Sequence, residues 1–236
     1  MSNPLLKESV FRSTVSAGES MTVPGTVNKS IILWAFLAVS AFYAWTHPQV
    51  ITPFFWVFLI VGFGLAMFSI FKKTASPILS PIYAICQGAV LGVISLAFEK
   101  NYPGIVVNAV LLTVSVLICM LAAYKTGIIK ATPMFKKVVI LSTLAIAFVY
   151  LIDLLLNVFG AGRFPYIHDS SWLGIGISLV IVAVASFNLI IDFDMIEDGA
   201  RSGAPKYMEW YGAFALMVTL IWLYLEMLRL LGKMRS

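Results

Sequence analysis

Seven long apolar runs follow one another along the chain, at about 30–47, 50–71, 77–98, 104–124, 138–160, 172–194 and 208–231, separated by proline, glycine or charged residues. A helix needs roughly 20 apolar residues to cross a hydrocarbon layer of about 30 Å, so each run is long enough to span a membrane. The runs do not alternate apolar and polar positions with period two, as the strands of a closed barrel would. Backbone polar groups in lipid must be satisfied within the segment, which leaves helices. The pattern predicts an all-α polytopic bundle of seven transmembrane helices. The turn at His47 and Pro48 is short enough to make the first two spans an antiparallel hairpin.

Residues 1–29 are polar and interrupted by Pro4, Gly18, Pro24 and Gly25, which predicts a flexible tail ahead of a single membrane domain over 30–236. That tail has no short apolar core followed by a small-residue cleavage site, so no removable signal peptide is expected. Composition agrees with the pattern: 61% of residues are hydrophobic, 11% are charged, and mean hydropathy is +0.96. A soluble domain is about a quarter charged. The net charge of +5 does not suggest nucleic acid, because its lysines and arginines are scattered through short loops and both ends. They are placed to set topology. Lys7, Arg12, Lys29, Lys72, Lys73, Lys125, Lys130, Lys136, Lys137, Arg201 and Lys206 fall on one side, against Lys100, Arg163, Arg229, Lys233 and Arg235 on the other. The majority side is cytoplasmic by the positive-inside rule, so the N-terminus is expected inside and the C-terminus outside. Trp45, Trp172, Trp210, Tyr102, Tyr124 and Tyr211 lie near predicted span ends, where aromatic residues with a polar tip are enriched.

Ionisable side chains within spans cost several kcal/mol and mark functional positions unless they can reach an interface. Asp153 and Glu226 stand in the middle of apolar sequence, and Asp192 and Asp194 close the sixth run ahead of Glu197 and Asp198. If spans five and seven start at the same face, Asp153 and Glu226 share a level, where two carboxylates would hold a proton between them or bind a cation. The competing reading of Glu226 is an ion pair with Arg229, three residues on. Asp192 and Asp194 are about 200° apart on a helix and face opposite ways, whereas Asp194, Glu197 and Asp198 share a face. Gln87 and Thr219 are uncharged polar residues near mid-membrane. Gly88 and Gly92 form a GxxxG pattern that favours close helix packing.

Cys86 and Cys119 lie inside apolar runs without metal-binding spacing, and His47, His168 and Asp169 form no fixed motif. No GxSxG, HExxH, Walker or GxGxxG pattern occurs in a suitable context, so neither an enzyme nor a cofactor is expected.

Several stretches together resemble the Bax-inhibitor-one family of transmembrane proteins, in particular its bacterial branch. They are Met21-Thr22-Val23-Pro24-Gly25-Thr26-Val27-Asn28-Lys29, Tyr83 through Ser95, Tyr102-Pro103-Gly104-Ile105-Val106, Phe193-Asp194, Leu223-Tyr224-Leu225-Glu226 and Leu228-Arg229-Leu230-Leu231-Gly232. The resemblance covers nearly the whole chain. It implies a seven-helix fold with the last helix central, wrapped by two groups of three, in a bacterial inner membrane. It also implies a pH-sensitive calcium or proton leak governed by an acidic pair. Asp194 matches the first acidic position. For the second, the Leu-Tyr-Leu-acid pattern selects Glu226 and the terminal Leu-Arg-Leu-Leu-Gly selects Thr219. Lys72 and Lys73 are the nearest basic candidates to accompany such a pair. The expected partners are membrane lipid and calcium ions or protons. The alternative is a non-conducting regulator that binds another membrane protein, such as an integral protease, with residues 1–29 as the exposed contact.

Overall fold

The structure, a computed structural model, describes residues 20–160 and 169–236. Within them the chain forms seven helices long and apolar enough to cross a membrane. These are α1 (Val23–Thr46), α2 (Phe55–Phe71), α3 (Ser76–Asn101), α4 (Ile105–Lys125), α5 (Pro133–Val158), α6 (Trp172–Arg201) and α7 (Met208–Arg235). A helical turn at Pro48–Ile51 and a 3₁₀ turn at Thr52–Phe54 lead into α2, so His47 alone separates the first two spans. No strand occurs among the described residues, where a single antiparallel bridge joins Ser20 to Pro205.

The helix ends follow local chemistry. Thr22 caps α1 by accepting a hydrogen bond from the Gly25 amide at 3.0 Å, and Pro24 sits in the first turn, where a missing N–H costs nothing. The polar tail expected to reach Lys29 therefore gives way to helix at Val23; Pro24 and Gly25 open α1 and do not break it. Residues 1–19 lie outside the described residues, as do Arg163 and His168. Thr132 and Ser171 cap α5 and α6 in the same manner. Glu99, near the end of α3, accepts from the Gly104 and Val106 amides at 2.6 and 3.1 Å and so caps α4 across the Tyr102-Pro103-Gly104 turn. Gly104 takes φ +79°, a left-handed value suited to glycine.

The helices assemble as two groups of three around α7. In the first, α1 and α2 both pack on α3; in the second, α4 and α5 both pack on α6. α7 contacts α1, α3, α4 and α6, and it is the most buried of the seven. Its core residues include Met217, Leu220, Leu223 and Leu228. The GxxxG pattern in α3 brings α1 into backbone contact: a Cβ on Gly88 would strike the Leu37 carbonyl and one on Gly92 the Ala41 carbonyl. Ser40 adds a 2.7 Å hydrogen bond to the Ile85 carbonyl. On the outside, α2 and α5 carry rows of exposed apolar residues such as Trp56, Phe63, Phe71, Leu141 and Phe148. An apolar surface of that extent requires lipid around it, and the chain is an integral membrane protein.

Candidate polar site along the central helix

The turn after α6 sets the register of α6 against α7, and three polar levels follow from it. Thr219, Glu226 and Lys233 are spaced seven residues apart, so they recur on nearly one face of α7 about 10 Å apart in height. Each finds partners across the helix seams.

At the first level Thr219 stands beside the carboxylate of Asp192 of α6. Asp192 Oδ2 is buried and has no hydrogen-bond partner among the described residues. Tyr211, two turns earlier on α7, lies within electrostatic range of Asp192, and Lys73 Nζ stands 5.2 Å from the centre of the Tyr211 ring. Of the two lysines singled out from sequence, Lys73 is thus set against α7 at Tyr211.

At the second level Glu226 is almost completely buried, and its Oε1 accepts from Arg229 Nη1 at 2.7 Å, Tyr150 Oη at 2.8 Å and Trp222 Nε1 at 3.1 Å. Arg229 also stacks over the Tyr150 ring, 4.9 Å from its centre. The ion pair with Arg229 is therefore formed, with two neutral donors added to it. Asp153 lies half-buried on α5, three residues beyond Tyr150. Because α5 starts at Pro133 and not near 138, Asp153 is about 30 Å along its helix, closer to the far end than the sequence count placed it.

At the third level Lys233 Nζ donates to the Gly174 carbonyl at 3.0 Å and to Ser178 Oγ at 2.8 Å. Sequence reading used Lys233 only as a topological charge.

Asp194 turns the other way, as the helical spacing requires. It forms an ion pair with Lys136 of α5, and its neighbour Glu197 accepts from Tyr124 Oη at 2.6 Å and pairs with Arg201 at 2.6 Å. Helix α6 continues to Arg201, seven residues past the expected end, because these acids have partners within the bundle. Asp194 consequently meets neither Thr219 nor Glu226. The residue that does meet Thr219 is Asp192. Gln87 packs over Gly62 of α2, where a Cβ would lie 2.8 Å from its Nε2, and so faces the outer hairpin. Among the described residues no group of three or more His, Cys, Asp and Glu side chains could hold a metal ion.

One acid escaped sequence reading. Glu209, in the first turn of α7, is fully buried and contacts Lys29 at 2.8 Å and Lys206 at 3.3 Å. It also accepts from the Thr22 amide at 3.0 Å and hydroxyl at 2.9 Å. Gly25 lies directly against its carboxylate, leaving no room for a Cβ. This contact fastens the start of α1 to the start of α7, next to the hydrogen bond that the Met21 N–H donates to the Ala204 carbonyl at 2.7 Å. The spacing of Lys206 and Glu209 was visible in the sequence; the partnership with Lys29 was not.

The family model described as Bax inhibitor 1 like matches residues 3–236. No curated protein and no solved structure matches the chain.

Proposed function

The chain belongs to the Bax inhibitor 1 like family, and we propose that it is an ion leak or transport protein that passes calcium or protons through the bundle in a pH-sensitive way. The observation that carries this reading is the buried polar face of α7, with Thr219 beside Asp192, Glu226 held by Arg229 and Tyr150, and Lys233 seated on α6. Ionisable groups at membrane depth are costly and mark ion or proton routes. Asp192, with one carboxylate oxygen lacking a protein partner, is the first residue to test, with Glu226 next. Protonation would remove the charges that hold α7 to α6 and α5 at these levels, a local electrostatic change with a global readout. Asp194, paired with Lys136 on the opposite face of α6, acts from outside this seam.

The test is flux from liposomes loaded with a calcium-sensitive or pH-sensitive dye, comparing wild type with Asp192→Asn, Asp194→Asn and Glu226→Gln across pH. Flux that changes several-fold in Asp192→Asn or Glu226→Gln, and less in Asp194→Asn, is expected. Absence of flux in every sample would sink the conduction reading and leave a non-conducting regulator. We propose a bacterial inner membrane on the resemblance to the bacterial branch of the family, and a cytoplasmic N-terminus on the distribution of lysine and arginine.

A further inference from the structure

α1 and α4 stand side by side without packing closely on one another, and the space between them opens to the surface of the bundle as two clefts. The clefts have volumes of about 680 and 990 Å³ and share Trp34, Leu117 and Leu220, so they form one groove with α7 in its floor. From Val23 to Trp45 the groove follows α1 for about 33 Å, close to a full hydrocarbon thickness. Its two halves differ in chemistry. The half near Trp45 and Glu99 is almost wholly apolar, whereas the half near Val23 ends among Lys125, Lys130, Arg201, Asp194 and Glu197.

The charges at that mouth do not cancel. Asp194 is paired by Lys136, and Glu197 by Arg201 and Tyr124. Lys125 and Lys130 are exposed and have no carboxylate partner among the described residues. The chain from Lys125 to Lys137 carries four lysines and no acid. The turn that ends α4 holds this arrangement: Gly127 takes φ +72° and its amide bonds to the Tyr124 carbonyl, while the Ile129 amide returns to the Ala123 carbonyl. Lys130 is thereby brought back beside the helix that carries Lys125.

We infer that this half-groove binds one anionic phospholipid of the leaflet on the lysine-rich side. The headgroup phosphate sits on Lys125 and Lys130, and an acyl chain lies against Val27, Ile31 and Trp34. The volume falls in the range of sites that enclose small ligands, and the part of α1 that lines it, from Val23 to Trp34, is about 17 Å long, the depth of one leaflet. Juxtamembrane lysines attract anionic lipid with energies that, for two side chains, amount to a roughly 30-fold preference over a zwitterionic lipid.

The experiment uses the full chain in detergent, titrated with phosphatidylglycerol or phosphatidylcholine of identical acyl chains, and read by native mass spectrometry and by thermal unfolding. Two variants accompany it: Lys125→Ala with Lys130→Ala, at exposed positions, and Val27→Trp, which fills the groove from an exposed position. Expected are tight one-to-one binding of phosphatidylglycerol, loss of its preference in the double lysine variant, and weakened binding of both lipids in Val27→Trp. Equal binding of the two lipids by wild type, or an unchanged preference in the lysine variant, would overturn the assignment. Glycerol phosphate alone binding as well as the lipid would overturn it too, as would a second copy of the chain or a co-purified polypeptide occupying the groove in place of lipid.

Discussion

Glu209 shows how a single carboxylate can join distant parts of this chain. It is fully buried, yet two ammonium groups and two donors from Thr22 surround it. Removing one member of a buried ion pair leaves the other uncompensated and costs about 3 kcal/mol. Glu209→Gln is accordingly expected to lower stability by about that amount, measured as the thermal unfolding midpoint of purified protein in detergent. Gly25→Ala is expected to be similarly damaging, because the added Cβ would overlap the Glu209 carboxylate. Since both changes act on one contact, the double variant should lose clearly less than the two single losses combined. Strict additivity would show that Gly25 matters for some other reason. The contact with Thr22 was not legible in the sequence, because it joins residues 187 positions apart and Glu209 reads there as an ordinary acid at the start of a span. The facing of Asp192 and Asp194 was legible, since helical period alone sends them apart. The partner of Thr219 was also within reach, because Asp192 and Thr219 are equidistant from the turn between α6 and α7, as are Ser178 and Lys233.

The span count was readable from apolar length, while the helix ends were not, for reasons particular to each. α1 begins seven residues early because a threonine cap and a first-turn proline support helix where proline and glycine suggested a break. α6 runs on because Asp194 and Glu197 have partners on α4 and α5 that sequence does not display. The glycine pattern carried its meaning openly: Gly88 and Gly92 meet the backbone of α1, whereas Gly64 of α2 faces open space. Gly92→Leu is therefore expected to destabilise the bundle by about 1–3 kcal/mol through overpacking. Gly64→Ala should be neutral or slightly stabilising, because alanine is the better helix former. Unfolding midpoints for the pair check this, and equal losses would mean that the α1–α3 contact is not set by small residues.

For the whole molecule, an odd number of spans puts the two ends of the described chain on opposite sides of the membrane. The proposed orientation, which rests on the positive-inside rule, has the Lys125–Lys137 side in the cytoplasm. Single cysteines at Lys130 and at Lys100, in a chain with Cys86 and Cys119 replaced by serine, report this directly. A membrane-impermeant thiol reagent added to intact cells is expected to label Lys100→Cys and to spare Lys130→Cys, and the reverse pattern would invert the topology. The order of the helices in space has a further consequence for how the protein is made. Segments enter the membrane in chain order, N-terminal parts first, yet the helix that Leu33, Ala84, Ala109 and Leu189 are built around comes after the other six. Until translation reaches Met208, the two groups of three have inward faces with nothing to close on. The nascent protein must therefore wait, inserted but unassembled, for its last helix, and a premature stop ahead of α7 would leave a half-built product for membrane quality control to remove.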